Sequence, residues 1–81
     1  MAIETPEQAA RSQAQVENFA RMCWRVRRAV ERLEDEFSGL ADFPEAIGEA
    51  MPRLSAAAEL IADAAEDWAR LCNTNFDPRS E

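Results

Sequence analysis

Arg21, Arg25, Arg28 and Arg32 recur at spacings of four, three and four, which puts four guanidinium groups on one stripe of a helix. Trp24 lies beside that stripe. Such a row can contact phosphates while the indole stacks on a base, or it can anchor a protein interface, where Trp and Arg dominate binding energy. Five arginines against one glutamate give residues 21–32 a local charge of +4, leaving −11 on the rest of the chain. The carboxylates gather elsewhere. Glu34, Asp35, Glu36, Asp42, Glu45 and Glu49 fall in a stretch, 33–52, with no basic residue, and Glu59, Asp63, Glu66 and Asp67 follow. Acids about 5–6 Å apart along a rigid helix approximate the phosphate spacing of a nucleic-acid strand, so they fit a basic groove that normally holds DNA or RNA.

Other chemistry is poorly provided for. The 81 residues contain no histidine, lysine or tyrosine. Nucleophilic catalysis by Cys23 or Cys72 would lack its usual base, and the two cysteines are not spaced as a redox or metal pair. The two glycines are isolated, so no phosphate-cradling loop exists. No Glu-x-x-His motif offers a carboxylate-bridged metal site. The expectation is a non-enzyme with no cofactor and no metal. A net charge of −7 and a pI near 4.5 argue against direct DNA binding. The start of the chain lacks the basic and apolar regions of a signal peptide, and no apolar run approaches a membrane span. A cytoplasmic protein with reduced, buried thiols is expected. Arginine without lysine suggests GC-rich coding, hence a bacterial host with a phage or prophage source.

The elements that must position these groups are helical. Pro6 suits a first helical position, with Thr5 and Gln8 as a capping box. No proline or glycine follows until Gly39, whose left-handed conformation should end the helix. Within 6–38, Val16, Phe19, Cys23, Val26, Val30, Leu33 and Phe37 alternate at spacings of three and four and lead on to Leu40, the pattern of a coiled-coil seam. After a turn at 39–43, with Asp42 or Phe43 as cap, a second helix over 44–73 repeats Ile47, Leu54, Ile61 and Trp68 every seven residues. Ala50, Ala57, Ala64 and Leu71 fill the second row of its seam, flanked by Met51, Ala58, Ala65 and Cys72, and Asn73 closes the helix. Pro52 should kink or interrupt it near 48–52. Residues 74–81 read as a polar tail.

The expected fold is all-α, a single-domain helical hairpin with Trp68 in its core. Two helices bury one stripe each, which is thin for an independent fold. Pairing into a four-helix-bundle-like homodimer is the simplest remedy.

A lysine-free, acidic, helical chain of this size, with acidic belts at 34–49 and 59–67, resembles the small phage-encoded anti-CRISPR proteins. The resemblance rests on size, charge and layout, without a shared motif. It implies an inhibitor that blocks a nucleic-acid-binding surface of a CRISPR effector or similar bacterial complex. Glu34, Asp35, Glu36, Glu45, Glu49, Glu59, Asp63 and Glu66 would face a Lys/Arg-lined channel, with Trp24, Arg25 and Arg28 as further contacts. Two alternatives stand beside it. One is a dimeric hairpin regulator, similar in outline to a plasmid copy-number regulator, that holds RNA through its arginine stripe. The other is a small secretion or phage-assembly chaperone, which an excess of exposed apolar surface would favour.

Overall fold

The computed structural model describes residues 6–79, with side chains from residue 12 onward. Helix α1 (Pro6–Ser38) and helix α2 (Glu45–Cys72) pack antiparallel as a hairpin, and the described residues include no strand. Pro6 opens α1 as its fixed φ suggests. The proposed cap at Thr5 and the Gln8 side chain lie outside the described residues.

The turn departs from expectation in detail. Gly39 does not take a positive φ. The end of α1 tightens instead, with the Gly39 amide donating to Glu36 O at 3.2 Å and Leu40 to Phe37 O at 3.0 Å. Ser38 Oγ donates to Asp35 O at 2.7 Å, so the last carbonyls find partners without a left-handed residue. Pro44, rather than Asp42 or Phe43, is the N-cap of α2, and it supplies no side-chain cap. Packing closes the corner. Phe43 lies 4.6 Å from Phe37 between ring centroids. A Cβ on Gly48 would come within 2.9 Å of the Phe43 ring, so only glycine leaves room for this ring, which sits where a hydrophobic staple does.

Pro52 does not interrupt α2, which runs unbroken from Glu45 to Cys72. The residue four before Pro52, whose carbonyl its ring must avoid, is Gly48.

The seam itself is the main correction. The buried residues are Val16, Ala20, Cys23 and Val30 on α1 and Ala58, Ala62, Ala65 and Ala69 on α2. Val16, Cys23 and Val30 were expected there, but the second row is the small one, and alanines allow the helix backbones to approach closely. The bulky row lies outside the seam, and so does the expected second row of Ala50, Ala57, Ala64 and Leu71, whereas its flanking Ala58 and Ala65 are buried. Trp68 is half exposed rather than core. Residues 74–79 are not simply a polar tail either, and 80–81 lie outside the described residues. Phe76 is only 4 % exposed and joins the cluster of Val16, Ala20, Cys23, Ala62, Ala65 and Ala69, while Pro78 is fully buried.

Candidate functional site

Three surfaces carry the chemistry picked out from the sequence. The first is the turn end. Asp35, Glu36, Asp42, Glu45 and Glu49 are exposed and make no ion pair among the described residues. Glu45 lies in the first turn of α2, where a carboxylate suits the helix dipole. Glu34 faces across the hairpin and accepts a hydrogen bond from Ser55 Oγ at 2.9 Å.

Glu59, Asp63 and Glu66 are tied down, while Asp67 is exposed and makes no ion pair among the described residues. Arg27 reaches over the seam to Asp63 at 3.2 Å and Glu59 at 3.5 Å, with Glu31 at 3.8 Å on its own helix. Glu66 pairs with Arg70 at 3.3 Å. The acidic positions therefore split into an open group at the turn and a paired group, Glu59, Asp63 and Glu66, farther along α2. Arg27 was passed over because its row, with Ala20 and Glu34, reads as half polar. An arginine can lay its stem along a seam and keep its head outside, and Arg27 does so.

The second surface surrounds Trp24. The indole packs against the core cluster and is not an open platform. The Arg27 guanidinium lies 4.9 Å from its ring centre and Arg79 lies 5.1 Å away, so two cations lie over the indole. Its Nε1 is buried with no hydrogen-bond partner among the described residues. The C-terminal segment makes this cover. Asn73 caps α2, and its N–H donates to Ala69 O at 2.9 Å. Its side-chain amide donates to Glu17 Oε1 at 2.9 Å, and its Oδ1 accepts from the Asn75 amide at 3.1 Å. The Phe76 ring then lies under the Arg21 guanidinium at 5.2 Å. An aromatic and a proline closely following a helix end were the signal for this docking. Arg25, Arg28 and Arg32 line a separate shallow groove with Ala29, of about 210 Å³. The arginine stripe and Trp24 therefore belong to different surfaces, and Trp24 cannot stack on a base while this segment is seated.

The third surface is apolar. Every seventh residue from 19 to 68 (Phe19, Val26, Leu33, Leu40, Ile47, Leu54, Ile61 and Trp68) is large, hydrophobic and 42–54 % exposed. Phe19 and Trp68 meet edge to face at 6.3 Å, which places the rows of both helices on one side of the hairpin. Beside them Ser12, Gln15 and Val16 complete a depression of about 490 Å³. Met22, Leu60 and Leu71 are exposed as well.

Cys23 is buried and Cys72 exposed, both as free thiols, so only one fits the expected buried state. Desolvation pushes the Cys23 thiol above its ordinary pKa, which lowers its reactivity. No helix among the described residues is long and apolar enough to cross a membrane. Compared with known proteins, the chain matches no family model, no curated protein and no solved structure.

Proposed function

We propose that the protein is a non-enzymatic, acidic protein-binding inhibitor that presents its turn end to a basic nucleic-acid-binding surface of a partner complex. The observation that carries this reading is the split among the acids. Glu59 and Asp63 are spent on Arg27 and Glu66 on Arg70, whereas Asp35, Glu36, Asp42, Glu45 and Glu49 gather at the turn end with no ion pair among the described residues. Carboxylates at the tip of a narrow rod suit entry into a channel lined with lysine and arginine. Complementary charge would speed that encounter and make it sensitive to salt. A bacterial CRISPR effector is one complex of this kind, and the anti-CRISPR resemblance enters here as one instance of the mechanism. The reading includes pairing of two hairpins and a cytoplasmic place of action.

The test is capture from a host lysate at low and at moderate salt, with a variant carrying Asp35→Ala, Glu36→Ala and Glu49→Ala alongside. Recovery of a nucleic-acid-binding complex that salt, added DNA and the triple change all diminish is the expected result. Recovery of a protein without nucleic-acid function, indifferent to all three, would sink the reading. The exposed apolar face favours a second reading, a chaperone that shelters an apolar segment of a client. There, capture would persist in salt and be lost on Leu54→Ser.

A further inference from the structure

We propose that the apolar face is the interface with a second copy of the chain, laid antiparallel so that the two turn ends point in opposite directions and α2 lies on α2. The proposal rests on the pairing included above and adds the face and the orientation.

Shape supplies the first argument. The molecule measures 56 × 28 × 15 Å, a slab one helix thick. A broad face of that size offers on the order of 1,500 Å², about twice the roughly 800 Å² that each partner contributes to a standard interface. The apolar row repeats strictly every seven residues across both helices. That is the period which keeps a seam facing a partner helix as the helices supercoil.

Charge selects the orientation. With Phe19 beside Trp68, the same antiparallel register puts Val26 level with Ile61 at the middle of the face. A two-fold axis there brings Ile61 onto its own copy. The outer edge of α2 then reads Arg53, Leu60, Asp67, all exposed and seven residues apart. Placed antiparallel on itself, this row sets Arg53 against Asp67 twice and Leu60, 71 % exposed, against Leu60. Arg53 and Asp67 make no ion pair within the described residues of one chain. Beside that row Ala57 meets Ala64, and Leu71, the most exposed large hydrophobic at 86 %, meets the small Ala50. Such reciprocal contacts are the signature of an isologous interface. The opposite arrangement, with turn ends together, sets Arg32 beside Arg53 and crowds two groups of unpaired turn carboxylates against each other.

Sedimentation of the full chain gives its mass, and one engineered cysteine gives the orientation. In a Cys72→Ser background, Ile61→Cys is expected to form a disulfide with its own copy under mild oxidation. Arg53→Asp and Asp67→Arg are each expected to weaken self-association about tenfold, and the two together in one chain to restore most of it. A chain that stays monomeric throughout the micromolar range overturns the pairing itself. A dimer that links Ile61→Cys only to Val26→Cys, with no rescue by the double charge exchange, overturns the orientation and leaves the pairing standing. Both readouts are taken without any partner complex, so they are separate from the fate of the inhibitor reading.

Discussion

The two broad sides of this hairpin begin with the same problem and end differently. Both flank the alanine seam and both carry a tryptophan to cover, Trp24 among the ion pairs of Arg27 and Arg70 on one side and Trp68 among large apolar residues on the other. On one side the chain returns over itself after Asn73, buries Phe76 and Pro78, and sets Arg79, with Arg27, over the Trp24 ring. On the other, eight large residues at seven-residue intervals stay about half exposed. A two-helix slab has two sides to cover, and the described residues after α2 lie over one of them. The covered side holds the monomer together, while the open side is free for association.

Substitutions on the two sides should therefore differ in kind. Phe76→Ala removes a buried ring and should cost about 3 kcal/mol, read as a lowered denaturation midpoint. An unchanged midpoint would mean that the segment adds nothing to the covered side. Ala62→Leu pushes apart helices that meet over alanine, at about 2 kcal/mol, with the same readout. Arg27→Ala should cost about 1 kcal/mol, because its partners are largely exposed and each such pair is weak. Leu71→Ser on the open side should change the stability of the monomer by less than about 0.5 kcal/mol. A large loss there would erase the contrast between the sides. The smallest effect belongs to Cys23. Its folded pKa is raised, so it adds stability below the thiol's unfolded pKa, and that contribution fades as pH rises through the folded value. Alkylation should likewise mark Cys72 before Cys23.

Much of this was readable from residue order. Eight apolar residues in phase with a heptad, one glycine and one proline near residue 40, and Asn73 as a stop were enough for two helices and a hairpin. The choice between adjacent rows was not readable. Val16, Cys23 and Val30 can pair with the bulky row at 19, 26 and 33 or with the row at 20, 27 and 34. Hydrophobicity favours the first, and close backbone approach over alanine favours the second. Arg27 and Glu34 disguised the winning row, because a long side chain at a seam edge looks polar in sequence while its stem packs. The acidic group at the turn was legible as composition. Its difference from the α2 acids depends on what Arg27 and Arg70 reach, which only the register of the helices decides.

The placement of the two tryptophans equips the protein with a pair of built-in optical reporters. Trp24, sealed under Arg27 and Arg79 with its indole N–H out of reach of water, emits from a dry site and exchanges its indole hydrogen slowly while the C-terminal segment is seated. Trp68, half in solvent beside Phe19, emits further to the red and shifts to the blue when anything covers the open side. Replacing either one with phenylalanine leaves a chain whose ultraviolet emission follows a single side, so loosening of the segment and arrival of a visitor can be timed separately without attaching a dye.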